Sequence, residues 1–289
     1  MASSDMNRRL APEFSHPRVL GFAARPSGRL KALLMALPFA LLLAIYITAS
    51  QVRHEANPND KILPTFTQMG KAVYTMAFEV DQRTGQRLML EDTASSLRRI
   101  IIGMIAASLL GLLLGLNMGL FPGFESLSAV FITFVSIIPP LAILPIIFIA
   151  FGVDEFAKIM LIFIGTFPLI CRDIYLTVKK IPQEQITKAL TLGASQFQTT
   201  YGIVMPQIIP RLIDTTRLSF GAGWLFLIAA EAIVSEAGLG YRIFLVRRYL
   251  AMDIIIPYVF FITFLGFVID WSLKRLVAVR YSWYVRSKA

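Results

Sequence analysis

Few side chains in this sequence are of types that make or break bonds. There are 2 histidines, His16 and His54, and 1 cysteine, Cys171, which is too small a ligand set for a zinc or haem centre. No nucleophile stands with a base as an enzyme site requires, and no Gly-x-x-x-x-Gly-Lys-Ser/Thr element is present to cradle nucleotide phosphates. Cys171 sits in an apolar stretch, where a thiol is inert, and a single cysteine closes no intrachain disulfide. What remains are charges and prolines in apolar surroundings. Glu231 falls near the end of an apolar run, Asp214 and Arg217 stand three apart, and Pro139, Pro140 and Pro145 interrupt another run. Their chemistry is that of hydration and backbone geometry. An acid in such a run must face protein or water, and a proline frees carbonyls that need partners.

The elements that position these groups follow from hydropathy. Of 289 residues 56% are hydrophobic and 16% charged, against roughly 45–50% and 25% in a soluble domain. Uncharged runs such as 100–121 and 126–152 reach the ~18–20 residues that cross a bilayer as a helix. Six spans are predicted, near 32–50, 100–121, 126–150, 156–173, 212–234 and 253–272, giving an all-α polytopic membrane bundle of six transmembrane helices. The first run follows basic residues as a signal peptide would, but it exceeds the ~7–15-residue apolar region of such peptides and reads as an uncleaved helix. The net charge of +10 is dispersed between apolar runs, not gathered on one face as in a nucleic-acid binder. Lys and Arg favour the cytoplasmic side. The arm 1–31 (Arg8, Arg9, Arg18, Arg25, Arg29, Lys31), the loop 176–211 (Lys179, Lys180, Lys188) and the tail 273–289 (Lys274, Arg275, Arg280, Arg286, Lys288) therefore read as cytoplasmic, flanking a single transmembrane domain over 32–272. Arg242, Arg247 and Arg248 land outside, against the rule.

Within the second span Gly103, Ala107, Gly111, Gly115 and Gly119 recur every four residues on one helix face. Such a face lets helix backbones approach closely in lipid, and it predicts a seam within the bundle or between two copies. In the third span Pro139 and Pro140 predict either a broken helix facing a cavity or a plain kink. Glu231 reads as a pathway or gate residue, or as a paired structural one. Asp214 and Arg217 predict a local ion pair bracing the start of the fifth span.

The loop between the fourth and fifth spans carries its own pattern. Pro182 suits a first helical position and Glu184 a first turn. Ile186, Ala189 and Leu190 share one helix face, as do Phe197, Tyr201 and Val204 further on. Gly193 marks a break where a left-handed backbone is needed, and Pro206 and Pro210 are expected to end the second helix before the fifth span. Two short amphipathic helices joined rigidly to spans form a lever that a soluble partner can grip.

This stretch resembles the cytoplasmic coupling loop of binding-protein-dependent ABC importer permeases, whose pattern is Glu-Ala-Ala, three residues, Gly, nine residues, Ile, two residues, Pro. Ala189, Gly193, Ile203 and Pro206 match at that spacing, and Leu192-Gly193-Ala194-Ser195 reads as the family does. Thr187 and Lys188 replace the leading Glu and Ala. Pro139-Pro140-Leu141-Ala142, Leu144-Pro145, Phe151-Gly152, Ala230-Glu231 and Gly238-Leu239-Gly240-Tyr241 are similar to the branch serving nitrate, sulfonate, taurine and bicarbonate uptake. The resemblance implies alternating access without a cofactor on this chain. It further implies two identical permeases, cytoplasmic ATPase subunits carrying ATP and Mg and docking at Ala189, Leu192, Gly193, Ala194, Ser195, Ile203 and Pro206, and a periplasmic or lipid-anchored solute-binding protein, all in a bacterial inner membrane. The competing classes are a membrane-embedded enzyme, which lacks its nucleophile and base here, and an ion-coupled carrier, which would show intramembrane acids in relay or inverted repeats.

Overall fold

The computed structural model describes residues 27–57, 60–82 and 85–286. Most of the N-terminal arm and the last residues of the tail lie outside them. The chain divides into two units, 1–65 and 66–289.

The described part of the first unit is α1 (Gly28–Ala56), started by Ser27, whose hydroxyl accepts from the Leu30 amide, and followed by a return loop. The loop is pinned to its own helix. Tyr46 donates to Pro64 O at 2.6 Å, Ser50 to Leu63 O at 3.0 Å, and Arg53 Nε to Asp60 Oδ2 at 2.6 Å. The bond from Arg53 holds the Asp60 carboxyl below its ordinary pKa. Nearly the whole apolar surface of α1 is exposed within this unit, which suits a helix whose solvent is lipid.

The second unit contains α2 (Phe66–Phe78), α3 (Leu88–Leu120), α4 (Pro122–Ile137), α5 (Leu144–Phe151), α6 (Glu155–Val178), α7 (Gln183–Thr191), α8 (Met205–Ile233), α9 (Leu239–Arg247), α10 (Met252–Arg280) and α11 (Ser282–Arg286). Across the described residues five helices are long and apolar enough to span a bilayer: α1, α3, α6, α8 with its lead-in, and α10. The remaining predicted span, 126–150, is split into α4 and α5. Pro139 and Pro140 supply no amide protons, and the residue before a proline is pushed to extended backbone. Ile138 sits at φ −66°, ψ 122°. The chain then turns through Ala142 N–H to Pro139 O (3.0 Å) and resumes as helix, with Pro145 in the first turn where its missing donor costs nothing. The broken form, not the plain kink, is what these residues adopt.

The core is a three-helix contact of α3, α6 and α8. The small-residue face of α3 lies on α6 within the chain, so the seam is internal to the bundle. Added methyl carbons at Gly103, Gly111 and Gly115 would stand 2.9 Å from Ile162, 2.8 Å from Ile170 and 2.6 Å from the Cys171 carbonyl, while Gly119 abuts Val178. The pairing advances equally and in the same direction on both helices, so α3 and α6 run parallel. Helix α8 returns antiparallel and buries Phe226 against Gly165. The starts of α3 and α6 therefore share one end of the bundle with the finish of α8, and the loop 179–204 lies at the other.

Two expectations need correction. Pro206 and Pro210 do not end a helix, because Gln198–Val204 is a π-helical turn that runs directly into α8, with Met205 N–H bonded to Thr200 O. That wider turn moves the preceding carbonyls away from the first proline ring, and the helix passes through. Nor does Arg217 pair along its own helix. Its Nε lies 3.4 Å from Asp270 on α10, while Asp214 accepts from Tyr284 Oη of α11 at 3.1 Å. The neighbouring helices α10 and α11 bring those partners closer than a helical repeat does.

Candidate functional site

The loop end is built first from α7. Pro182 opens the helix, Glu184 sits in its first turn, and at its finish Gly193 takes φ +87°. Ala194 N–H bonds Ala189 O (3.1 Å) and Gly193 N–H bonds Leu190 O (3.0 Å), the paired closure that a left-handed residue after a helix makes possible. Two residues later a new helix begins with a reciprocal cap: Gln198 N–H donates to Ser195 Oγ at 3.2 Å and Ser195 N–H to Gln198 Oε1 at 2.8 Å. Ser195 was singled out only as part of a motif. The Ser-x-x-Gln spacing that explains it was there to be read.

This double closure throws apolar side chains outward. Leu192 is 87% exposed and Phe197 71%, and Phe197 leans on Tyr201 with ring centroids 4.6 Å apart. Ala189, by contrast, is buried at 7% exposure beneath the turn. Ala194 and Ile203 are half-buried, and Gly193, Ser195 and Pro206 are exposed. The loop is braced on both sides. Gln207 on α8 reaches Gln185 on α7 at 3.3 Å, and the α8 side chain Arg211 holds Asp173 of α6 through two bonds of 2.8 and 2.5 Å, with Thr215 Oγ1 on the same carboxylate. Glu125 of α4 takes Tyr175 Oη at 2.5 Å and Lys179 Nζ at 2.6 Å. The loop is thus tied to α4, α6 and α8 together.

The opposite end holds a polar node that sequence reading saw only as Glu231. That carboxylate is completely buried. Its Oε1 accepts from Arg99 Nη1 (2.6 Å) and Ser96 Oγ (2.7 Å), and its Oε2 from Gly240 N–H (2.8 Å). Arg99 turns its other two nitrogens to Glu155 at 2.6 and 2.7 Å, and Lys158 reaches Glu155 at 2.9 Å. A second carboxylate, Asp92, takes Gly238 N–H (2.9 Å), Arg242 Nε (2.8 Å) and Tyr258 Oη (3.2 Å), and Leu239 N–H donates to Ser96 Oγ at 2.8 Å. Three acids meet three cations, so the charge of the node closes on itself. Burial works against the Arg242 charge, but Asp92 outweighs it and holds that guanidinium above its ordinary pKa.

The Gly238-Leu239-Gly240 stretch is the start of α9, whose amides feed both acids. Gly238, at φ +139°, lies so close that an added carbon would stand 2.5 Å from the Glu231 carboxyl, and one at Gly240 would stand 2.9 Å from the Ile228 backbone. These two glycines, quoted above only for their family resemblance, are the seat of Glu231. Arg242, an exception to the charge rule, is explained by Asp92. Pro139 and Pro140 do not join this node; they lie at the α4–α5 break, exposed and half-buried respectively.

A family model described as "Binding-protein-dependent transport system inner membrane component" matches residues 99–278, from the node arginine through the loop to α10. The chain belongs to this family. It is the membrane-spanning permease component of an ABC importer. The permease is 32% identical over 243 residues to a putative ABC transporter permease of Methanocaldococcus jannaschii, covering 84% of this chain and 86% of that one. It is 33% identical over 183 residues to the taurine transport system permease TauC of Escherichia coli, covering 63% and 66%. To the bicarbonate transport system permease CmpB of Synechococcus elongatus it is 30% identical over 196 residues, covering 68% and 69%. The inward-facing MetNI methionine ABC transporter shares the fold, with TM-score 0.59 at 17% identity over 69% of this chain and 99% of that one.

Proposed function

We propose that this permease imports a small anion or zwitterion of the nitrate, sulfonate, taurine or bicarbonate kind, driven by a separate ATPase that grips the turn after α7. The observation that carries the reading is the outward tip at Leu192 and Phe197, held by two caps and braced to α6 and α8. An exposed apolar tip on a rigid lever is what a groove in a soluble motor subunit requires. The contact lies on Leu192, Gly193, Ala194 and Ser195, with Ala189 packing beneath and Ile203 and Pro206 setting the angle of the second helix. ATP and Mg reside on the partner.

In this reading the loop end faces the cytoplasm with both termini, and the node end faces a solute-binding protein in the periplasm. A second, identical permease completes the pathway in the inner membrane, and the α4–α5 break at Pro139 and Pro140 borders it. Glu231 acts as a fixed anchor of the outer end, since an unpaired acid would repel an anion. The substrate class rests on relatives whose names include taurine, sulfonates and bicarbonate.

The test is capture of the ATPase from mild detergent by the tagged permease, alongside uptake in vesicles. Leu192→Asp and Gly193→Trp are expected to insert normally yet recover no ATPase and support no uptake. Capture at the unmutated level in both variants would overturn the docking surface.

A further inference from the structure

Helix α6 carries four charged residues, Glu155, Lys158, Arg172 and Asp173. Glu155 and Lys158 are used in the node, and Asp173 is used by Arg211 and Thr215. Among the described residues Arg172 makes no hydrogen bond or ion pair. The acids nearest it in the fold are already committed, Asp173 as above and Glu125 to Tyr175 and Lys179. Arg172 stands six residues before the end of α6, about 9 Å along the helix axis at 1.5 Å per residue. Its side chain is exposed, so the guanidinium is open to a ligand from outside the chain.

A cavity is present. A groove of about 480 Å³ lies between α4 and α6, lined by Ile132, Thr133, Ile137, Arg172, Tyr175 and others, and every lining residue except Arg172 is uncharged. Ile137 is the last residue of α4, so the groove ends at the Pro139–Pro140 break. A fork of five fixed donors matches two oxygens of a planar or tetrahedral oxyanion. Thr133, exposed on the opposite, α4 wall, adds a hydroxyl donor.

We propose that Arg172 binds the transported oxyanion in this groove, as the cation that selects negative charge on its way past the α4–α5 break. This rests on the anion-importer reading above. A phosphate in an anionic lipid headgroup presents the same chemistry, and the test separates the two sources.

The permease, assembled with its ATPase and solute-binding protein, is placed in vesicles of neutral phosphatidylcholine and in vesicles containing anionic phosphatidylglycerol. Uptake of taurine, ethanesulfonate and bicarbonate is followed together with ATP hydrolysis. Replacing the guanidinium removes a charge-assisted pair, so Arg172→Gln is expected to lower uptake at least about tenfold in both lipids. Arg172→Lys keeps an intermediate rate, and both variants recover the ATPase from mild detergent at the unmutated level, which reports an assembled transporter. Uptake by Arg172→Gln at the unmutated rate overturns the proposal, and so does a deficit confined to anionic vesicles, which assigns the groove to lipid. If the unmutated transporter moves neither these three solutes nor nitrate, the anion-importer reading itself fails, a result read without any variant.

Discussion

The two ends of the α3–α6–α8 bundle solve the problem of polar groups in an apolar chain in opposite ways. At the node end, Asp92, Arg99, Glu155, Lys158, Glu231 and Arg242 answer one another, and the central pair is almost wholly removed from solvent, with side chains 4% and 0% exposed. At the loop end the main ion pair, Asp173 with Arg211, stays 27% and 35% exposed, and beyond it the chain turns Leu192 and Phe197 outward. One end is closed by its own ion pairs; the other leaves apolar side chains exposed. A lever needs both, because force applied at an adaptable end moves a pathway only if the far end of the same helices is held. The α3–α6 seam joins the two, with glycines at van der Waals contact along most of its length.

The comparison breaks most easily at Glu231. Truncating one partner of a buried pair leaves the other charge uncompensated, and for Glu231→Ala we expect a loss of about 3 kcal/mol, near the lower bound for such pairs because Arg99 keeps Glu155. Ser96 and the Gly240 amide lose their acceptor as well. Glu231→Gln, which retains an acceptor for one of them, should fall between. Thermal unfolding of the purified chain in detergent reads this directly. An unaltered midpoint for Glu231→Ala would mean that the node is not what holds this end.

The seam is the next test. At Gly115 a side chain meets the Cys171 carbonyl at 2.6 Å and Ile174 at 2.9 Å, both on a helix that cannot retreat without losing its own contact with α8. Overpacking of this kind costs roughly 1–3 kcal/mol, so Gly115→Val should lower the unfolding midpoint measurably. Gly221→Ala, where nothing lies within 4 Å, is the matched control and should leave it unchanged or slightly raised. Equal behaviour of the two variants would show that the helices do not touch as described.

How much of this was legible beforehand depends on whether a feature is local. Span positions and the left-handed Gly193 follow from residues adjacent in sequence, as does a disturbed helix at Pro139, though the prolines alone left a break and a kink both open. The small-residue face of α3 was visible as well, though not its partner, because a four-residue repeat does not say which helix lies opposite. The node was not legible. Its two long-range pairs, Asp92 with Arg242 and Arg99 with Glu231, stand more than a hundred residues apart, and no spacing rule connects them. The available signal was indirect: a basic residue, Arg242, that ran against the expected charge pattern, and the Gly238-Leu239-Gly240 stretch. Asp214 and Arg217 show the converse failure, where three-residue spacing suggested a partner and tertiary contacts supplied others.

The smallest expected effect on stability lies at the loop end, and it sharpens the contrast most. Asp173→Asn weakens two bonds from Arg211 and one from Thr215 without burying a naked charge, since Arg211 still reaches water. Half-exposed pairs are worth roughly 1 kcal/mol or less, so the unfolding midpoint should barely move. Uptake should respond differently. This carboxylate fastens the start of α8, continuous with the turn proposed above as the ATPase-docking site, to α6, and on that proposal slack there uncouples ATP hydrolysis from motion of the spans. ATP hydrolysis by the assembled transporter is expected to persist while solute uptake per ATP falls, whereas Glu231→Ala should lower both along with the amount of folded protein. If Asp173→Asn proved as destabilising as Glu231→Ala, the two ends would be equivalent anchors, and a rigid end opposed to a driven one would not describe this bundle.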